Sequence, residues 1–193
     1  MGEPNAGTPF VFYVLTHDSN TMTTSIRTEQ PADIDEIYAL NKVVFGQDNE
    51  AKLLDHIRQT PGFIPELSLV AVEGDKIIGY ILLSKLDIAN GDKHFESLGV
   101  SSILVHPDYQ RQGIGSRLVT HSLQKAALLG HTSVLAFGHE YYFPKFGFLP
   151  AIRWNIRPPF DVPAEVFMAL ELEPNALIHV SGIVEFPIEF SVI

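Results

Sequence analysis

The 193-residue chain contains no cysteine, which excludes a disulfide framework, a thiolate zinc site and a cysteine nucleophile. Its eight histidines show no metal-ligand spacing such as His-x-x-x-His, so we expect no metal site. Basic residues are also few, with 13 Lys and Arg against 23 Asp and Glu and a formal net charge of −10. A general nucleic-acid binder needs a basic surface, so we expect no nucleic-acid partner. The lack of cysteine fits a reducing compartment, and we predict a cytoplasmic protein.

The sequence also lacks a hydrophobic run long enough to span a membrane. The apolar stretch at residues 10–15 is far too short, and no Lys or Arg precedes it, as a signal peptide would require. We therefore expect no membrane partner. Met22 opens a segment typical of the start of a domain. We predict an N-terminal extension over residues 1–22, one domain over 23–173, and a tail over 174–193 that packs on the domain or extends it.

Hydrophobic residues make up 46% of the chain, which is enough for one folded domain with a sizeable core. Period-two and helical patterns predict strands at residues 25–28, 67–73, 76–86, 95–105, 132–138 and 165–172, and helices from Pro31, at about 50–59, at 114–129 and, as a short helix and turn, within 140–148. Hairpins followed by strand–helix–strand predict a mixed α/β fold in which helices cover one sheet. A right-handed parallel crossover is expected within residues 100–137.

A glycine-containing turn joins the strand that ends at Val105 to the helix that begins at Ile114. Residues 110–115 read Gln-Arg-Gln-Gly-Ile-Gly. The first amides of a helix have no partners inside it, and the positive end of the helix dipole lies behind them, so they can bind phosphate. Gly113 and Gly115 lack side chains that would hold a phosphate away from the backbone. The pattern therefore indicates a phosphate site, with a plain tight turn as the alternative.

Other nucleotide-binding motifs fit this turn less well. A P-loop ends in Gly-Lys-Ser/Thr, whereas residues 115–117 are Gly-Ser-Arg. A dinucleotide fingerprint needs a third glycine where Leu118 stands. Arg111 and Arg117 could add positive charge beside a phosphate. The strand before the turn, the amphipathic helix after it and the strand that comes next reduce the weight of the plain-turn alternative.

Residues 102–119, SILVHPDYQRQGIGSRLV, resemble the acetyl-CoA signature of the GNAT superfamily of N-acetyltransferases. Residues 141–151, YYFPKFGFLPA, resemble the later segment of that superfamily in which a short helix leads into Gly-Phe. Residues 25–40 resemble its first strand and helix, so the similarity runs from about Thr23 to Leu172. The closing VEFPIEF at residues 184–190, with FGHEYY at 137–142, is similar to the YhbS-like branch.

The resemblance implies a mixed, mostly antiparallel central sheet with splayed parallel strands, flanked by helices, and acetyl-CoA as co-substrate between the splayed strands. By match to the motif, the coenzyme-binding residues are Leu104, Val105, Gln110, Arg111, Gln112, Gly113, Ile114, Gly115 and Ser116. The two strand residues would contact the pantetheine arm, and the turn would hold the pyrophosphate. A strand irregularity near residues 102–104 would expose an N–H to the thioester oxygen.

The reaction that the resemblance implies is direct attack of an amine, on a small molecule or peptide, on the acetyl thioester. Many relatives carry Glu six places before the residue that matches Val105, and Tyr four places before the glycine of Gly-Phe. Those places hold Gly99 and Phe143 in this sequence. Nearby substitutes are Tyr142, as a proton donor to the leaving thiolate, and Glu96, which could hold a water for the amine proton.

Further candidates for these proton transfers are Tyr141, Ser101, Ser102 and His139. The two departures also leave an alternative function open, namely an acyl-CoA-binding sensor with little or no catalysis. The sequence does not distinguish acetylation of an amine from acylation of a hydroxyl or from use of a longer acyl chain. The unidentified amine acceptor would meet residues 43–59 and the segment after Trp154, and the acidic chain favours a cationic acceptor. Exposed sheet edges and the apolar C-terminal segment are compatible with a homodimer.

Overall fold

The structure is a computed structural model that describes residues 24–138 and 140–186. The predicted N-terminal extension, the candidate His139 and residues 187–193 of the predicted tail lie outside the described residues. Among the helices that the structure does describe, none has the length and apolar character needed to cross a membrane.

The described chain forms nine strands and three α-helices, joined by short 3₁₀ turns. The N-terminal half contains β1 (Ser25–Thr28), α1 (Ile34–Phe45), α2 (Asn49–Ile57), β2 (Ser68–Glu73), β3 (Lys76–Asn90) and β4 (Lys93–Val105). The C-terminal half contains α3 (Ile114–Leu128), β5 (Ser133–Phe137), β6 (Leu149–Pro150), β7 (Ile156–Arg157), β8 (Phe167–Glu171) and β9 (Gly182–Glu185). The helix predicted within residues 140–148 is a 3₁₀ turn over Phe143–Phe146. Pro144 at its start and Gly147 at its end, with φ 92°, restrict it to one turn.

All nine strands belong to one sheet, in the order β1-β2-β3-β4-β5-β8-β6, with β9 paired to β3 and β7 paired to β9. Neighbouring strands are antiparallel except β4–β5 and β7–β9. The α3 helix forms the crossover between β4 and β5. The predicted mixed, mostly antiparallel sheet is therefore confirmed. Part of the predicted tail enters the sheet as β9, whose Ile183–Glu185 lie beside Asp87–Ala89 of β3.

The sheet buries apolar residues on both faces, because neighbouring residues of β3 point to opposite sides. Ile81 packs with α3, whereas Tyr80 and Leu82 pack with α1 and α2. Gly79 allows α3 to lie close to the sheet, since a Cβ there would come within 3.0 Å of Leu118 Cδ1. A third buried cluster lies beneath the C-terminal strands and includes Leu86, Ile88, Leu135, Phe167 and Val184.

Two features of β4 create an opening in the sheet. The parallel strands β4 and β5 pair only at Leu98–Val134 and Gly99–Leu135, after which they separate. The register between β3 and β4 also shifts, with Ser102 opposite Leu82 but Val100 opposite Leu83. Ser101 is therefore the extra residue of a β-bulge, one place before the predicted irregularity at residues 102–104. Bulge and opening lie on the same strand, so backbone at the bulge can face a ligand in the gap.

Candidate active site

The turn between β4 and α3 is held by side-chain amides. Gln110 Nε2 donates to the Val105 carbonyl at 3.1 Å, and Gln112 Nε2 donates to the Asp108 carbonyl at 3.1 Å. Arg111 and Gly113 adopt left-handed backbone conformations, with φ of 61° and 82°. Two left-handed residues in so short a stretch reverse the chain sharply, and they place Gly113 as the N-cap of α3.

The amides that follow Gln110 have no acceptor. Within residues 24–138 and 140–186, the backbone N–H groups of residues 111–116 make no hydrogen bond to the protein, and the first bond into α3 runs from Arg117 N–H to the Gly113 carbonyl at 3.0 Å. These donors lie at and just before the N-terminus of a 15-residue helix, where its dipole adds positive potential. The arrangement is suited to bind phosphate oxygens.

A groove of about 660 Å³, the turn groove, runs from these amides along the end of β4. It is lined by Ile103, Leu104, Val105, Tyr109, Gln110, Arg111, Gly113, Ile114, Gly115, Ser116, Tyr142 and Lys145. The structure thus brings together all the residues predicted to bind the coenzyme except Gln112. Arg117 does not line it, because its guanidinium donates to the Thr24 carbonyl at 2.5 Å. The second cation of the groove is Lys145, which the sequence analysis missed.

Tyr142 reaches across the turn groove to the first turn of α3. Its half-buried phenol makes a hydrogen bond with the side chain of Ser116, and a Cβ on Gly115 would lie only 2.8 Å from the Tyr142 oxygen. Lys145 Nζ lies 4.5 Å from the centre of the tyrosine ring. Burial raises the pKa of Tyr142, and the Ser116 bond offsets that only in part. The phenol is therefore protonated at neutral pH and can donate a hydrogen bond into the groove.

The structure gives a packing reason for the two departures from the family pattern. A Cβ on Gly99 would lie 2.3 Å from Leu86 Cδ1, so the side chain of Leu86 fills the place where many relatives carry a glutamate. Phe143 is 2% exposed, and its ring lies 5.2 Å from that of Phe148 in the core beneath α3. Neither position can supply a proton-transfer group, because apolar side chains occupy both.

A second hollow of about 1080 Å³, the bulge cavity, opens on the other side of Ile103, a residue that lines both hollows. Its lining comprises Leu53, Leu86, Gly99, Val100, Ser101, Ser102, Ile103, Phe137, Pro159, Phe160, Ile183, Val184, Glu185 and Phe186. At the bulge, Ser101 Oγ lies 2.6 Å from the Oγ of the buried Ser84. The two hollows together form a path along β4 from the free amides to the bulge.

Three phenylalanines form one wall of the bulge cavity. The Phe137 ring lies 5.7 Å from that of Phe160 and 5.8 Å from that of Phe186, and the last two rings are 6.0 Å apart. These residues come from the end of β5, the loop before β8 and the end of β9. Phe160 is 54% exposed although it is large and apolar. An exposed aromatic wall beside a β-bulge is typical of a ligand site rather than of a core.

The predicted candidate Glu96 lies away from both hollows. Its half-exposed carboxylate forms an ion pair with Lys85 Nζ at 2.9 Å, and it lines neither the turn groove nor the bulge cavity. Folding also brings His94 beside Asp87 and Glu185, with potential ligand atoms within 4.8 Å of one another. All three residues are exposed, so water would compete with their side chains for a metal ion. We therefore do not assign them as a metal centre.

Comparison with known proteins agrees with this geometry. Residues 25–151, more than half of the chain, match the acetyltransferase (GNAT) domain. The chain is 31% identical over 167 residues to the uncharacterised N-acetyltransferase YhbS of Escherichia coli K12, covering 86% of this chain and 98% of that protein. It is 29% identical over 136 residues to the uncharacterised N-acetyltransferase YjhQ of the same strain, covering 69% and 75% of the two chains.

Solved structures show the same architecture. The crystal structure of E. coli YhbS in complex with CoA superposes with a TM-score of 0.82 at 28% identity, covering 91% of this chain and 96% of that one. A GNAT family acetyltransferase from Brucella melitensis in complex with acetyl-CoA gives 0.71 at 24% identity, covering 88% and 99%, and supports the fold alone. The domain match, the identity to YhbS and the shared fold lead to one conclusion: the chain belongs to the GNAT family of N-acetyltransferases, on its YhbS-like branch.

Proposed function

We propose that this chain is an acetyl-CoA-dependent N-acetyltransferase in which an amine attacks the thioester directly. The observation that carries the proposal is the set of unpaired amides at residues 111–116, which open onto a groove that follows β4 to a bulge. The CoA complex of E. coli YhbS supports it, because that protein shares the fold over 91% of this chain.

The coenzyme would lie along β4. Its diphosphate would accept hydrogen bonds from the free amides, with Arg111 and Lys145 as nearby cations. The pantetheine arm would pass Leu104 and Val105, in the gap that opens beyond the β4–β5 pairing. That path brings the thioester to the bulge at Ser101, where a backbone N–H free of the regular ladder would stabilise charge on the carbonyl oxygen.

In the proposed reaction the neutral amine nitrogen forms a bond to the acetyl carbon, the carbon–sulfur bond breaks, and CoA leaves as its thiolate. The nitrogen then gives up a proton to water or to the thiolate, which leaves the neutral amide. An ordinary alkylamine with a pKa of about 10.4 must first lose a proton, at about 4–5 kcal/mol at pH 7. The thiolate is a good leaving group, because a thiol has a pKa of about 8.5. The role of Glu96 in accepting the amine proton stays a prediction, and it requires transfer through water because the carboxylate lines neither hollow.

We propose that Tyr142 donates a hydrogen bond to the sulfur of the coenzyme, which requires its phenol to turn from Ser116 at the first turn of α3 towards the bulge. Its phenol lies in the turn groove and is protonated at neutral pH, because burial raises its pKa. That pKa is above the usual pKa of a thiol, so the phenol stabilises the leaving thiolate by a hydrogen bond more readily than by full proton transfer. Tyr142 would thus supply the hydroxyl donor that many relatives carry at the place of Phe143.

The function is tested by binding and turnover measured on the same protein. We expect acetyl-CoA to raise the melting temperature and to stabilise the fold by about 2.7 kcal/mol at a concentration near 100 times its Kd. Release of CoA thiol is then followed with a panel of amines. Saturable release, with acetylated amine found by mass spectrometry, supports the enzyme. Binding of acetyl-CoA without release of CoA on any acceptor favours the acyl-CoA sensor, which the lack of proton-transfer groups at Gly99 and Phe143 suggests. Failure to bind acetyl-CoA overturns both the enzyme and the sensor.

The Tyr142→Phe variant should release CoA about 10- to 100-fold more slowly, while its affinity for acetyl-CoA changes little. The substitution removes only the hydroxyl, so the ring still packs on Phe146 and under Lys145. Steady-state kinetics and calorimetry separate the two effects. Tyr141→Phe is the matched control, because Tyr141 is 81% exposed and lines neither hollow. Equal turnover by the Tyr142→Phe variant and wild type would remove the tyrosine from the mechanism.

A further inference from the structure

The lining of the bulge cavity carries information about the acceptor. Among the described residues that line it there is no Lys, Arg or His, and the only acidic residue is Glu185. The Glu185 side chain is 57% exposed, and its carboxylate lies 3.9 Å from Nδ1 of His94, a residue outside the lining. The polar side chains left at the bulge are Ser101 and Ser102. Apart from Glu185, a charged group on an acceptor would therefore meet no countercharge among the described residues that line the cavity, and burying an unpaired charge is costly.

The same lining affects the amine itself. Leu86 covers Gly99, so the surface nearest the bulge is apolar, and Val100 and Ile103 extend it. Desolvation in such surroundings disfavours the ammonium form and lowers the pKa of a bound amine. An amine that loses its proton on entry arrives as the neutral nucleophile that the reaction requires, although Glu185 is the only carboxylate among the described residues that line the cavity. The serine hydroxyls can still accept a hydrogen bond from an N–H of a neutral amine.

The shape of the cavity indicates what is attached to the amine. Phe137, Phe160 and Phe186 form an aromatic wall, and Leu53 and Ile183 add aliphatic surface. Aromatic rings pack against such walls in offset or edge contacts that add to simple burial of area. Ile183 is 52% exposed and Phe160 is 54% exposed, although both are apolar. An apolar acceptor body would cover both.

Resting on the proposed function, we infer that the acceptor is a primary monoamine with an aromatic or branched apolar body, and that it carries no carboxylate and no second charge. Free amino acids, polyamines and lysine side chains in charged peptides fall outside this class. The acidic surface of the protein still attracts the ammonium form from solution, and the amine then loses its proton inside the apolar cavity.

The test compares acceptors that differ by one charged group. The pairs are 2-phenylethylamine against phenylalanine, which adds a carboxylate, and 2-methylpentylamine against 2-methylpentane-1,5-diamine, which adds a second ammonium. We expect kcat/KM to be at least about 100-fold higher for the first member of each pair, because the added charge is buried without a partner. A peptide with an N-terminal alanine and one internal lysine serves as the third comparison.

Binding of acetyl-CoA, measured by calorimetry on the same preparation, separates the two levels of the proposal. If acetyl-CoA does not bind, the proposed function fails and this inference with it. If acetyl-CoA binds and the charged acceptors are used as well as or better than the apolar amines, the inference alone is overturned. If acetyl-CoA binds and no amine is acetylated, the enzymatic function fails and the inference with it. Preference for the apolar member of both pairs supports it.

The Phe160→Ala variant tests whether the acceptor preference arises in the bulge cavity. Phe160→Ala should raise KM for 2-phenylethylamine about tenfold, through lost apolar contact, and leave the Kd for acetyl-CoA unchanged. Because Phe160 is 54% exposed, its removal should cost the fold little. Leu128→Ala is the control, since Leu128 is an 87% exposed apolar residue of α3 outside both hollows. An unchanged KM in the Phe160→Ala variant counts against the aromatic wall as the acceptor site.

Discussion

The Gly113→Val variant is expected to bind acetyl-CoA about 100-fold more weakly than wild type, a loss of about 2.7 kcal/mol of binding free energy. Gly113 has φ 82°, a conformation that a β-branched residue adopts only with strain. A Cβ there would have no neighbour within 4 Å, so the new side chain would stand in open space next to the free amides. Valine would therefore disturb the turn and take up space needed by the diphosphate. Isothermal calorimetry measures the loss.

The Gly74→Val variant provides a matched control for that experiment. Gly74 lies in the turn between β2 and β3, has φ 60°, and likewise has no neighbour within 4 Å of an added Cβ. It carries the same kind of backbone strain but lies outside the turn groove. We expect a similar cost in stability and no loss of acetyl-CoA affinity. Equal losses of affinity in both variants, or none in Gly113→Val, would contradict the assignment of the amides as the diphosphate site.

Local signals in the sequence predicted much of the fold. The β2–β3 hairpin follows from alternating apolar residues on either side of Gly74-Asp75, and α3 follows from its apolar arc. The sequence pattern predicts that β3 ends at Leu86, but the strand continues to Asn90. Its last residues pair with β9, which lies nearly a hundred residues further along the chain. The two-residue strands β6 and β7 were also missed, because so short a segment is a strand only through its partner.

The candidate site likewise has one part that contiguous sequence predicts and another that depends on residues distant in the chain. The turn between β4 and α3 could be predicted because its donors, glycines and helix are contiguous, and all of its predicted coenzyme-binding residues except Gln112 line one groove. Lys145 could not be found from spacing, since it reaches the groove only through the 3₁₀ turn over Phe143–Phe146. The packing of Leu86 over Gly99 could not be predicted either, because Leu86 comes from the neighbouring strand. Sequence alone therefore predicted a groove for the coenzyme and left the acceptor open.

The second large effect is expected at the ion pair that joins α2 to the sheet. Arg58 donates to both oxygens of Glu29, at 2.8 and 3.2 Å, and the two side chains are 11% and 8% exposed. Ser68 and Tyr80 donate hydroxyl hydrogen bonds to the same carboxylate. Burial raises the pKa of Tyr80, which keeps this donor protonated. The carboxylate is thus held in a nearly dry site by one cation and two hydroxyls.

Arg58→Leu should lower the free energy of unfolding by about 3–5 kcal/mol, because it leaves the Glu29 carboxylate buried without its countercharge. Urea unfolding followed by circular dichroism measures the change. Lys85→Leu, which breaks the exposed pair with Glu96, should cost less than about 1 kcal/mol. The double variant Glu29→Gln with Arg58→Leu should recover part of the loss, since it removes the unpaired charge. A loss in Arg58→Leu no larger than that in Lys85→Leu would show that water reaches the carboxylate and that α2 is held by its apolar face alone.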